Sequence, residues 1–208
     1  MAGTNSHTRT VLWLALVITL MVLGLAARFG PLEKSLGTNI RLIYLHGAWV
    51  WTGMGAFALS ALAGLAGLTL RRSSWHTWSR SLGYTGMIYW LTYLPMSLLM
   101  MQLNWGGFFF DEPRWKIPFS FAVIGLLLQA GLFIIRQPVL TSGGNLVFGT
   151  ALLWSLSRIT SVLHPDSPIL TSDSNNIRLF FVLLLAFSVI AAAQIANLWH
   201  RWTSRRAI

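Results

Sequence analysis

The sequence predicts an all-α integral membrane protein: one domain over residues 1–208, six transmembrane helices, and N and C termini both cytoplasmic. Three observations predict it. Hydrophobic residues fill 55% of the 208 positions and charged residues only 10%, where a soluble domain carries about 25% charged. Apolar runs of about 18 residues or more, the length that crosses a bilayer, recur six times. The connectors between those runs are too short to hold a further domain.

The first run, 10–27, follows Arg9 as a signal peptide would, but Ala26-Ala27-Arg28-Phe29 is a poor cleavage site and the run is long enough to span. The second, 42–70, is long enough to tilt or to project beyond the bilayer. Within it Ala56, Ser60 and Gly64 set small residues four apart, which marks a helix-packing face. The third, 82–103, contains Pro95, a helix-kinking residue. The fourth, 117–135, and the sixth, 179–199, carry Gln129 and Gln194 in mid-span, where an amide serves best as an interhelical hydrogen bond. The fifth, 146–163, encloses Arg158, a costly residue inside a membrane and so a functional candidate.

Six spans put both termini on one side, together with connectors 71–81 and 136–145. That side holds eight Lys/Arg and the other six, a modest positive-inside bias that makes the first side cytoplasmic. A net charge of +10 in so apolar a chain points to anionic lipid, not nucleic acid. Trp75, Trp78, Trp199 and Trp202 then form an aromatic belt at the cytoplasmic interface, and the chain is expected in a bacterial plasma (inner) membrane. With no cysteine, the chain has no disulfide, thiolate metal site or covalent haem link. The five acids are too few for a carboxylate-rich metal centre, and no constellation for bond-making chemistry stands out; the chain reads as no enzyme.

Polar residues converge at the outer ends of the spans. His46 opens the second run in Tyr44-Leu45-His46-Gly47-Ala48-Trp49, and His164 closes the fifth in Ser161-Val162-Leu163-His164-Pro165-Asp166. Antiparallel spans bring both to one depth. The connector 104–116 on that face is both aromatic and charged: Trp105-Gly106-Gly107-Phe108-Phe109-Phe110-Asp111-Glu112-Pro113-Arg114-Trp115. Imidazole is a common metal ligand, aromatic faces bind flat rings, and arginine pairs with carboxylates. The combination suits a flat amphipathic cofactor with anionic edges, of which haem is the example. Arg41, Arg114 and Arg158 are the candidate partners of its propionates.

The stretch Tyr-x-His-x-x-x-Trp ending at Trp49, an outer loop running Trp-Gly-x-aromatic-aromatic into Asp and Pro-Arg, and a histidine closing a later helix together resemble the tryptophan-rich, haem-handling membrane proteins of cytochrome c biogenesis. The specific motifs cover about 20 residues. The resemblance implies non-covalent haem b, one per chain, with His46 and His164 as axial ligands of the iron. It further implies that Trp105, Gly106, Phe108, Phe109, Asp111 and Arg114 belong to a haem-platform loop, with Phe110-Asp111 where the family has Trp-Asp. The expected role is to present or deliver haem on the outer face of the membrane during cytochrome c maturation. Expected partners are haem, membrane lipids, and other membrane subunits: a transporter, a haem chaperone or an apocytochrome. Two other readings stay open: a haem-b electron-transfer or anchor subunit of a respiratory or photosynthetic complex, and a cofactor-free structural subunit.

Overall fold

The structure, a computed structural model, describes residues 2–160, 169 and 172–206, with side chains from 7 to 204. The described residues form six helices: α1 (Ala2–Arg28), α2 (Ile40–Leu70), α3 (Ser73–Trp105), α4 (Pro113–Ile135), α5 (Pro138–Ser157) and α6 (Asn175–Arg206). Five of them, all but α3, are long and apolar enough to cross a membrane, so the chain is a multi-pass membrane protein by composition and length. α3 is as long as the others but carries serine, threonine and arginine through its first half.

The expected connectors at 71–81 and 136–145 are instead almost wholly helical. Each shrinks to two residues by the same device. Arg71 (φ 53°) and Arg136 (φ 56°) take the left-handed conformation and donate their backbone N–H to Gly67 and Leu132, closing α2 and α4. Arg72 and Gln137 are extended, and the next helix begins at once, α5 with proline at its first turn. Polar sequence at these places signals a hydrogen-bonded helix terminus, and hydropathy alone reads it as loop.

Viewed by its ends, the bundle has a terminal end with the described chain ends and the two tight turns, and a loop end with the connectors 29–39 and 106–112, the end of α5 and the start of α6. α2 is central, packing on α1, α3, α5 and α6. Its small-residue face works as expected: Gly64 lies so close to the Ser142 backbone of α5 that a Cβ would stand 2.6 Å from that carbonyl, and Gly149 of α5 lies as close to the Phe57 carbonyl of α2. α2 and α5 are therefore antiparallel neighbours, an adjacency the sequence left undetermined.

One apolar cluster joins α2, α3, α4 and α5 through Phe57, Met87, Trp90, Tyr93, Ala122, Phe148 and Leu152. A second, at the loop end, joins α1, α2 and α6 and includes Ile169 from the α5–α6 connector. Toward the terminal end the interior is polar and bonded across helices, with the Gln129 amide oxygen the buried acceptor that this network leaves unused. Ser60 donates to the Ser79 carbonyl (2.7 Å), Asn145 donates to the same carbonyl (2.9 Å), and Gln129 donates to Asn145 Oδ1 (2.7 Å). Gln194 of α6 donates to Thr19 of α1 (3.1 Å), so both mid-span glutamines are interhelical bonds. The expected tryptophan belt is partly an inter-helix joint: Trp78 stacks on His200 at 4.1 Å and Trp202 faces Phe133 at 6.4 Å.

A candidate cofactor cavity at the loop end

The site grows from three helix ends. In the 29–39 connector, the Glu33 carboxylate accepts the backbone N–H groups of Ser35 and Leu36 (both 2.9 Å) and the Ser35 hydroxyl, while Gly37 (φ 55°) turns the chain into α2. Asn39, just before α2, donates to the Leu103 carbonyl (3.4 Å) and to Asn104 Oδ1 (3.5 Å), which ties this connector to the end of α3. α3 stops because Gly106 (φ 70°) takes the left-handed cap and donates to the Gln102 carbonyl. α4 then starts at Pro113.

These ends enclose a cleft of about 300 Å³. His46 and Ile43 of α2 form one wall with Ser35 and Leu36, Ser97, Met100, Met101, Asn104 and Trp105 of α3 form another, and Glu112, Arg114 and Trp115 close the third. The His46 ring meets Tyr93 edge-on at 5.7 Å, and Tyr93 meets Trp90 at 4.9 Å, so the imidazole stands on the aromatic core. The wall is mostly apolar and aromatic, with one imidazole, one guanidinium and one buried carboxyl (Glu112, 5% exposed). That is the usual make-up of a small-molecule site, at the lower limit of its usual volume.

Of the expected site residues, His46, Trp105 and Arg114 share this cavity. Gly106 supports it as the cap of α3. The three phenylalanines do not line it. Phe108 and Phe110 are 53% and 57% exposed and stack on each other at 5.9 Å, while Phe109 packs edge-on behind Trp105 at 5.9 Å. The expected shelf is thus the outer skin of the loop, with the tryptophans between it and the cavity. Asp111 is exposed and pairs with Lys116 (3.5 Å), one turn into α4, and not with Arg114.

Three more residues stand elsewhere. Trp49 donates its indole N–H to Thr92 (3.0 Å) and lies against Tyr89, a joint between α2 and α3. Arg41 donates to the Gly30 carbonyl (3.1 Å) and lines a separate cleft. Arg158 is not inside a membrane-spanning helix: α5 ends at Ser157, its last turn tightens as Arg158 N–H bonds the Ser155 carbonyl, and the exposed guanidinium lies 5.8 Å from the Trp154 ring. The apolar run continues past that point, which is why hydropathy carried the helix too far. His164 lies outside the described residues.

Sequence reasoning missed the α3 wall. Tyr93, Ser97, Met100, Met101 and Asn104 recur at three- and four-residue intervals, which is one helical face. That periodicity was available, but methionine and serine in an apolar run carry no chemical label.

The donor set fits a haem on the side that is described. His46 offers a nitrogen ligand, Arg114 a bidentate partner for an anionic edge, and Trp105 and Trp115 flat apolar faces. The thioethers of Met100 and Met101 are the other soft donors in the wall. No group of three or more histidine, aspartate or glutamate side chains able to hold a bare metal ion occurs among the described residues. No family model matches the chain, and comparison with curated proteins yields no match either.

Proposed function

We propose that the chain is a haem-binding protein of the bacterial plasma membrane that presents or delivers one non-covalent haem b at its loop end during cytochrome c maturation. In this reading all six helices span, both termini are cytoplasmic, and the loop end faces outward. One observation carries it: residues from three separate parts of the chain, His46, Trp105, Arg114 and Trp115, converge on a single cleft. An imidazole, a guanidinium and two indoles form a chemically specific set, and separation in sequence makes their meeting informative.

His46 would be one nitrogen ligand of the iron, and the resemblance implies His164 as the second. Arg114 would neutralise a propionate, and Trp105 and Trp115 would keep water from the ring. Bound haem supplies the iron centre, and in this role it is cargo. The exposed Phe108 and Phe110 rims suit contact with lipid or with a receiving carrier or apocytochrome at the outer surface. Nothing in the cleft calls for bond-making chemistry.

The test is an absorption spectrum of the detergent-purified protein, oxidised and dithionite-reduced, beside His46→Ala and His164→Ala. A Soret band with sharp reduced α and β bands is expected, lost in His46→Ala. A colourless wild type after haem is added would overturn the reading. So would a spectrum untouched by His46→Ala. Pigment that passes to an added apocytochrome marks delivery, and pigment that never leaves marks an electron carrier or anchor subunit.

A further inference from the structure

A second cleft, of about 520 Å³, opens at the loop end between α1, α2 and the end of α3. The Asn39 side chain, bonded to Leu103 and Asn104, separates it from the His46 cavity: Ser35, Leu36 and Asn104 lie on one side, Thr38, Leu42 and Leu103 on the other. Its floor is apolar, with Gly24 and Ala27 of α1 facing Leu42 and Leu45 of α2. Its rim is cationic. Arg28 is the last residue of α1, and Arg41 stands in the first turn of α2, held by its Nε–H on the Gly30 carbonyl.

Neither guanidinium has an acid partner among the described residues, and neither terminal nitrogen of Arg41 is used by that bond. The acid of this connector, Glu33, is occupied by Ser35 and Leu36. Both arginines stand where an apolar span ends, His7–Arg28 on one side and Ile40–Leu70 on the other, and so at the level of lipid headgroups. A Cβ added at Gly24 would meet nothing within 4 Å, so the groove runs open down the face of α1.

We propose that this cleft binds an anionic phospholipid of the surrounding leaflet. Its phosphate sits between Arg28 and Arg41, and one acyl chain lies in the groove over Gly24, Leu42 and Leu45. Arginine's planar fork matches phosphate oxygens two at a time, and the apolar floor is what a free phosphate would not need. Charge complementarity selects an anionic lipid over a zwitterionic one. The site is independent of the haem reading, since it shares no lining residue with the His46 cavity.

Native mass spectrometry of the full chain, titrated with phosphatidylglycerol or phosphatidylcholine, tests it. Wild type should retain phosphatidylglycerol preferentially, and each of Arg28→Gln and Arg41→Gln should lower that retention about fivefold. Lys34→Gln, which removes a nearby cation outside the cleft, should leave it unchanged. Gly24→Leu keeps both charges but fills the groove, and should lower retention of both lipids; tryptophan fluorescence confirms that each variant is folded. Equal retention of the two lipids, or full retention in the folded Arg28→Gln variant, would overturn the proposal. So would displacement of the lipid by inorganic phosphate alone, which would reduce the site to a phosphate contact. If the arginine variants lost haem and kept lipid, the cleft would belong to the haem instead.

Discussion

The two ends of the bundle solve opposite problems. At the terminal end, helices are joined by two residues each, backbones touch across Gly64, and the polar interior is bridged by Asn145, Ser79 and Gln129. At the loop end, the connectors 29–39 and 106–112 are longer, and two clefts remain. Close packing needs small residues and leaves no room; a ligand site needs room and must be held open by capped ends. The difference predicts that substitutions at the terminal end act on stability, and those at the loop end on binding.

The largest expected effect lies at the packed end. Gly64→Leu must push the Ser142 carbonyl away, and because that atom is backbone, α2 and α5 have to separate. A loss of about 3 kcal/mol or more is expected, seen as a lower midpoint in thermal or denaturant unfolding in detergent. Gly24→Ala, at the open end of the same bundle, should change stability by less than about 1 kcal/mol in the stabilising direction. If the two glycines respond alike, the contrast between the ends fails.

The loop end gives the next test. Trp105 lines the His46 cavity and Phe108 does not, although both belong to one aromatic loop. Trp105→Ala should lower haem retention about tenfold, while Phe108→Ala should leave it within about twofold of wild type. A dialysis-retention series followed at the Soret band measures both. The reverse order would restore the phenylalanines as the platform and displace the cavity as the site.

How far the sequence led follows the same division. The helices were legible because an apolar run long enough to cross a bilayer has few alternatives, and Gln129 and Gln194 were legible because a lone amide in such a run needs a partner. Their ends were not. Ser73–Ser81 reads as loop by composition, yet Ser79 and Ser81 are fully buried, one accepting from Asn145 and the other donating to the Thr77 carbonyl within the helix. Arg158 reads as embedded because the apolar run outlasts the helix. At the site, His46, Trp105 and Arg114 were chosen by chemical type and do meet. Met100, Ser97 and Asn104 join them by helical phase, and Arg41 leaves them because Asn39 stands between the clefts.

The arginine turns supply a smaller test. Arg71 and Arg136 occupy a left-handed position that favours glycine, at a cost of about 1 kcal/mol each. Arg136→Gly should therefore stabilise by roughly that amount, without altering retention of any ligand at the far end. A destabilised Arg136→Gly would mean that the guanidinium contributes more than the backbone strain costs.

The smallest effect is a pH dependence of the loop-end wall. Hydrogen bonds from the Ser35 hydroxyl first, and then from backbone N–H groups, hold the Glu33 carboxyl below its ordinary value of 4.5. A lowered folded-state value means that the charged form favours the folded turn. The contribution is complete above 4.5 and fades as the pH falls through the lowered value. Because Ser35 and Leu36 line the His46 cavity, acidification below 4.5 should loosen one wall and leave the tight turns untouched. Amide hydrogen exchange reads this directly: Ser35 and Leu36 should lose protection in acid, and Glu33→Ala should show the same loss at neutral pH. Equal loss at Arg71 and Arg136, whose amides close α2 and α4, would mean that acid unfolds the bundle as a whole and that the turn has no titration of its own.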